Sequence, residues 1–251
     1  MRGLKPPPPS GSCYFAASQA AQILSNSITL IPVPCIRYTI HVYVRRSLFV
    51  SLGLILLAGG PLWAASRPLL VCYGDSITAG HGLDAGQSFP DALQRDLDAR
   101  GYHYQVSNQG TSGATTKDAV AGLRAILELH PAVVIVEFGG NDGLRGLPLE
   151  QTRRNLDAVL TALENAHLKV VLAGITLPPN YGREYIQAFE QLFRELTAKH
   201  HVAFVPMLYK NLINVPGTIQ PDGIHPTAKG SEIIARTLLP VLTPLLKKTT
   251  K

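Results

Sequence analysis

From residue 67 onward the chain alternates short apolar runs with stretches whose apolar residues recur every three or four positions. Leu69-Leu70-Val71-Cys72-Tyr73 lies between Pro68 and Gly74. An apolar run of this length, punctuated at both ends, predicts a strand covered on both faces. Ser88 is followed three residues later by Asp91, with Pro90 in the first turn, which predicts a helix start; Gly101 is its stop. Tyr102 to Asn108 predicts a second strand, and Val120, Leu123 and Leu127 mark one face of the next helix, closed by Pro131.

Ala132 to Phe138 is the clearest strand pattern, breaking into Gly139-Gly140-Asn141-Asp142-Gly143. Leu149, Leu156, Val159, Leu160 and Leu163 then fall at helical spacing. Lys169 to Ala173 predicts a fourth strand, Thr176 to Gly182 a loop, and Ile186, Phe189, Phe193 and Leu196 the face of another helix. Val202 to Pro206 predicts the fifth strand. The last helix begins near Thr227, presents Ile233, Ile234 and Leu238, and is ended or kinked by Pro240. Five strands alternating with helices, without repeat or internal linker, define one α/β domain over residues 67–248, with a mostly parallel sheet and helices on both faces.

Charge changes the picture mainly by its location. The 251-residue chain carries a formal +6, but residues 1–66 contain five basic residues and no Asp or Glu. The remainder is nearly balanced, with 18 basic and 17 acidic residues, which argues against nucleic acid as a partner. Residues 45–66 read as a signal peptide: Arg45-Arg46, an apolar core from Ser47 to Ala58, a break at Gly59-Gly60-Pro61, and small residues Ala64-Ala65-Ser66 for cleavage beside Ser66. The apolar core is shorter than the ~20 residues of a membrane span, so the mature form is expected to be periplasmic or secreted without a stable membrane anchor. Residues 1–44 show no periodic pattern and read as disordered or outside the natural product, with translation expected to start near Val42 or Val44. Cys13 and Cys35 precede the signal, leaving Cys72 without an internal disulfide partner and, within an apolar strand, as a core residue.

Functional sites of open α/β sheets form beyond the carboxyl ends of the strands. Ser76 follows the first predicted strand, Ser112-Gly113 the second, Asn141 the third, and Asp222 and His225 the fifth. This set has the parts of acyl transfer. A serine hydroxyl needs a base to take its proton, for which His225 is the candidate, and the imidazole needs a carboxylate to orient it, for which Asp222 stands three residues earlier. The backbone N–H groups of Ser76 and Gly113 and the Asn141 side-chain amide are candidate donors to an oxyanion. Asp75 is expected to brace the turn by bonding nearby N–H groups. Each fragment alone has a structural reading, as a turn, a glycine loop or a helix start; their order at successive strand ends is what points to chemistry.

Gly74-Asp75-Ser76-Ile77, Ser112-Gly113, Gly139 to Gly146 and Asp222-Gly223-Ile224-His225-Pro226 together resemble the four blocks of the SGNH, or GDSL, hydrolase superfamily. The resemblance is strongest to its periplasmic branch of acyl-CoA thioesterases, lysophospholipases and arylesterases, and it spans roughly residues 68–246. It implies a single-domain, flavodoxin-like three-layer α/β/α sandwich with a five-stranded parallel sheet, and a serine esterase that uses no metal or cofactor and acts as a monomer. It also implies a substrate-side loop over Leu177 to Arg183, adding Leu177, Pro178 and Tyr181, with Asp75 and Leu144, to the expected substrate-binding residues. Ile77 stands where leucine is usual. Two departures are Gln109-Gly110-Thr111, where small and aliphatic residues are expected, and a leader longer than the family's usual signal.

Two other enzyme readings are weaker. An ordinary α/β-hydrolase elbow would need glycine where Thr78 stands. A metal-dependent phosphoesterase would need further ligands near the asparagine and histidine loops, and His200-His201 reads as a solvated pair at a helix end. A non-catalytic binding module would not need the full catalytic set. The expected substrate is a carboxylic ester or thioester with a small or aliphatic acyl group, drawn from aryl esters, acyl thioesters and lysophospholipids. O-acetylated carbohydrate is the alternative.

Overall fold

The structure, a computed structural model, describes residues 66–248. Segment 1–44, the leader assigned to 45–66 (apart from Ser66), and Cys13 and Cys35 lie outside the described residues. Five strands form one sheet in the order β2-β1-β3-β4-β5, every pairing parallel. They are β1 (Leu69–Gly74), β2 (Gln105–Gly110), β3 (Val133–Glu137), β4 (Lys169–Ala173) and β5 (Ala203–Val205). The helices are α1 (Ser76–Ala79), α2 (Phe89–Ala99), α3 (Thr116–Glu128), α4 (Gly140–Leu144), α5 (Leu149–Asn165), α6 (Arg183–His200) and α7 (Ala228–Leu242). Helices α2 and α7 pack together on one face, while α3, α5 and α6 pack in sequence on the other. This is the expected three-layer α/β/α sandwich. Among the described residues no helix is long and apolar enough to cross a membrane.

Burial explains the strand patterns. Val133 to Glu137 is buried at every position, as is Leu70 to Gly74, because helices cover both faces of these central strands. Cys72 is a fully buried core residue, its thiol pushed far up chiefly by burial. Strand β2 is an edge, which explains its polar composition, Gln105 to Gln109.

Several predicted boundaries shift. Strand β2 starts at Gln105 rather than Tyr102, because the N–H groups of Tyr102 and Tyr104 are spent on Leu97 and Tyr102 carbonyls in a local turn. On α3 the buried face is Ala119, Leu123 and Ile126, and Val120 is exposed; the helix is rotated from the predicted stripe because Thr116 turns inward to bond Asp142. Pro240 does not end α7, which continues to Leu242 before a 3-10 turn, Thr243–Leu245; the proline stands in the last turn, where few bonds remain to break.

The expectation of a solvated histidine pair is also corrected. His201 is the exposed left-handed cap of α6, but His200 is buried with its ring between two carboxylates of α5. Its Nε2 lies 2.7 Å from Asp157 Oδ1 and its Nδ1 2.8 Å from Glu164 Oε2. The Asp157 carboxyl is held below its usual value by the bond from Lys199, against partial burial, with His200 adding to the effect. A depressed carboxylate adds stability that is present above its unfolded pKa of about 4 and lost as pH falls through its folded value. His200→Ala removes the bridge between α5 and α6; thermal melts should show a loss of about 2 kcal/mol, or about 5 °C in Tm.

Candidate active site

Strand β1 ends at the point where the chain's connections diverge, β2 lying to one side and β3 to the other, which is where open α/β sheets leave a crevice. Gly74 closes the strand and Asp75 caps α1, its Oδ1 accepting from Ile77 N at 3.0 Å. Ser76 is the first residue of that helix, so its N–H has no partner within the helix. Gly80, at φ +78°, ends the turn in a conformation that favours glycine.

The base arrives from the loop before α7. Asp222 Oδ1 accepts from Ile224 N (2.9 Å) and His225 N (3.0 Å), while Oδ2 lies 2.6 Å from His225 Nδ1. His225 Nε2 lies 2.9 Å from Ser76 Oγ. Three residues from two loops, 149 positions apart at the widest, therefore form one continuous hydrogen-bonded chain. Partial burial works against ionisation of Asp222, but the His225 ring and the two backbone N–H groups outweigh it and hold the carboxyl down to about 2.

The expected oxyanion donors also converge, with one qualification in geometry. Among the described residues, neither Ser76 N nor Gly113 N donates to a protein acceptor. The Asn141 amide is already engaged, donating to Asp75 Oδ2 (3.1 Å) and to Ala114 O (3.0 Å). An amide NH2 has two protons, so an oxyanion reaches Asn141 only as a shared, three-centre acceptor. Asp75 is itself buried and committed to Ile77 and Asn141. It forms part of the cavity floor, and its role is to brace that floor.

A cavity of about 820 Å³ opens beside Ser76 and His225, on the side of β3, β4 and β5. Leu144, Ile175, Leu177, Pro178, Ile186 and Ile213 supply apolar wall; Thr176, Arg183, Gln187 and Glu190 add a polar stretch. The expected Leu144, Leu177 and Pro178 are thus wall residues. Tyr181 is joined to that wall through its hydroxyl, which donates to Leu144 O at 2.7 Å. Gly113 borders a separate cavity of about 410 Å³ under the β2–α3 loop. Of the unusual residues ahead of it, Thr111 borders that cavity, Gln109 bonds Ser107 on the sheet edge, and Gly110 packs on α1 where a Cβ would lie 2.7 Å from Ala79 Cα.

Sequence reasoning missed four supporting residues. His81 stacks on His225 with ring centroids 4.6 Å apart. Gln220 Nε2 ties the loop after α1 to the base loop through His81 O (2.7 Å) and Pro226 O (2.9 Å). Arg145 Nη2 donates to Gly113 O at 2.8 Å, anchoring the loop that carries the second N–H donor. Glu137 is a buried acid at the end of β3. Two of them carried a sequence signal: Glu137 as a charge inside an apolar strand, and Arg145 as a member of the Gly139 to Gly146 block.

A doubly covered parallel sheet with a serine, an imidazole and a carboxylate linked beyond the end of β1 defines a serine hydrolase. The chain matches the profile of the GDSL-like Lipase/Acylhydrolase family over residues 72–233 and belongs to that family. It is 41% identical over 204 residues to "Esterase TesA" of Pseudomonas aeruginosa, covering 80% of this chain and 100% of that protein. It is 35% identical over 184 residues to "Thioesterase 1/protease 1/lysophospholipase L1" of Escherichia coli K12, covering 73% of this chain and 87% of that one. The crystal structure of TesA is similar with a TM-score of 0.69 at 41% identity, covering 71% of this chain and 99% of that chain.

Proposed function

We propose that the protein hydrolyses carboxylic esters or thioesters bearing an aliphatic acyl chain, through an acyl-enzyme on Ser76. The observation that carries this reading is the Asp222–His225–Ser76 chain, with contacts of 2.6 and 2.9 Å, opening into an apolar cavity. In the first step His225 Nε2 takes the Ser76 proton as Oγ bonds to the acyl carbon, and the charge moving to the carbonyl oxygen is met by Ser76 N and Gly113 N, with Asn141 sharing a proton. Imidazolium, steadied by Asp222, then returns the proton to the leaving alcohol or thiol as the tetrahedral species collapses. Water repeats the sequence on the acyl-enzyme, releasing the carboxylic acid and restoring the serine. Every proton has a holder, and no step calls for a metal or cofactor.

The names of the relatives, an esterase and a thioesterase/lysophospholipase, support the same substrate class. Among the described residues no group of three or more His, Cys, Asp and Glu side chains gathers as a metal site, so the phosphoesterase reading lacks a ligand set. The test is a p-nitrophenyl ester series of increasing chain length, run beside acetylated sugars. Rising kcat/KM from acetyl to longer acyl groups is expected; turnover confined to acetyl groups on sugars would overturn the aliphatic reading. Asn141→Ala should lower kcat about 10²-fold with a smaller change in KM, because a donor that strengthens as charge develops acts mainly in the transition state. The export reading of residues 45–66 is part of this proposal, and N-terminal sequencing of the mature protein should begin at Ser66 or Arg67.

A further inference from the structure

Glu137 ends β3 fully enclosed by protein, with no cation as partner among the described residues. Its Oε2 accepts from Thr78 Oγ1 at 2.7 Å and, over a longer 3.4 Å, from Asp75 N. The chain makes room for it. A Cβ at Gly74 would collide with Thr78 Oγ1 and lie 2.7 Å from both Glu137 O and Oε2, so the glycine that opens the nucleophile block leaves room for the Thr78–Glu137 pair and for the neighbouring strand's backbone.

The other neighbour is a second carboxyl. Asp75 is as buried as Glu137 and sits against it: its backbone N lies 3.4 Å from Glu137 Oε2, and its charge is felt by Glu137. Two carboxyl groups bond each other only by sharing a proton, and two buried like charges side by side are strongly disfavoured. Partners decide which group keeps the charge. Asp75 accepts charge-assisted bonds from Ile77 N (3.0 Å) and Asn141 Nδ2 (3.1 Å), whereas Glu137 receives one hydroxyl and one long amide contact. Glu137 therefore holds the proton.

We infer that Glu137 is a positioning residue for the reaction: as the neutral acid it donates to Asp75, keeping Asp75 the carboxylate that fixes the nucleophile turn through Ile77 and the oxyanion amide through Asn141. The energetics agree. Burial, then the Asp75 charge, pushes Glu137 well above the carboxylate range. Burial raises Asp75 to about 6, while the bonds from Ile77, Glu137 and Asn141 restrain it. The other titratable groups facing the pair are Cys72 on β1, Tyr209 beyond β5 and His225. The catalytic consequence rests on the esterase reading; the protonation of Glu137 does not.

Two variants and one spectrum test it. Glu137→Gln replaces the donated O–H by an amide N–H of similar shape and should keep kcat within about threefold of wild type, with the same acid limb. Glu137→Met fills the volume without a donor; Asp75 then takes up a proton more readily, so kcat should fall about tenfold or more at neutral pH while KM changes little, and the acid limb should move to higher pH. A Gln variant as impaired as Met, or a Met variant with wild-type kcat and profile, overturns the inference. Independently of activity, the wild-type infrared spectrum at neutral pH should contain the carbonyl stretch of a buried carboxylic acid that Glu137→Gln abolishes. If that band is missing, the inference fails; if it is present in a protein that hydrolyses no ester, the esterase reading alone fails.

Discussion

Ser76→Ala should abolish ester turnover, lowering kcat by about 10⁶-fold, while leaving the fold intact. The magnitude follows from what one atom does. Ser76 Oγ stands 2.9 Å from the imidazole nitrogen that would take its proton and borders the cavity where an acyl group would lie. No other wall hydroxyl can replace it: Thr176 Oγ1 donates to Glu190 at 2.6 Å and the Tyr209 hydroxyl to Ile224 O at 3.0 Å, neither bonded to an imidazole. The stability change should stay within about 1 kcal/mol, because the hydroxyl's partner is the His225 ring and not the core. Hydrolysis of p-nitrophenyl esters and a thermal melt of the same sample check both halves. A folded Ala variant retaining turnover within about tenfold of wild type would remove Ser76 as the nucleophile.

The fold was legible in the sequence where one physical signal dominated. Strands β3 and β4 are enclosed by helices, so uninterrupted apolar runs mark them, and Lys169–Ala173 has the predicted bounds. The α2 start was legible because its capping box is local: Ser88 Oγ accepts from Asp91 N, and Asp91 Oδ2 accepts from Ser88 N. The members of the site were legible because strand ends sit at one edge of a parallel sheet whatever the loop lengths between them. What failed was non-local. The face of α3 is decided by Thr116 reaching Asp142, 26 residues away. The burial of His200 depends on two acids one helix earlier. Spacing carries no record of such pairings.

Asp222→Asn should lower kcat by about 10⁴-fold, and the reason lies in how the two carboxylate oxygens are divided. Oδ1 is claimed by the N–H groups of Ile224 and His225, at 2.9 and 3.0 Å, and Oδ2 by His225 Nδ1 at 2.6 Å. Asparagine has a single oxygen. If it stays with the two backbone donors, its NH2 faces Nδ1, which must then accept, and the ring proton is displaced to Nε2. The nitrogen facing Ser76 then presents a hydrogen and cannot act as base. If the amide turns over instead, NH2 confronts two N–H groups, and the loop that carries His225 loses its brace. Either way the imidazolium also loses its counter-charge. Because Asp222 is held down to about 2, it is ionised across the working range, and acid loss of wild-type activity near neutrality must come from another group. The deficit of the Asn variant should therefore persist from neutral to alkaline pH, since a wrong tautomer is not repaired by removing protons from solution. A pH–rate profile in which the variant recovers wild-type kcat at alkaline pH would assign Asp222 a role in ionisation and remove tautomer control from the mechanism.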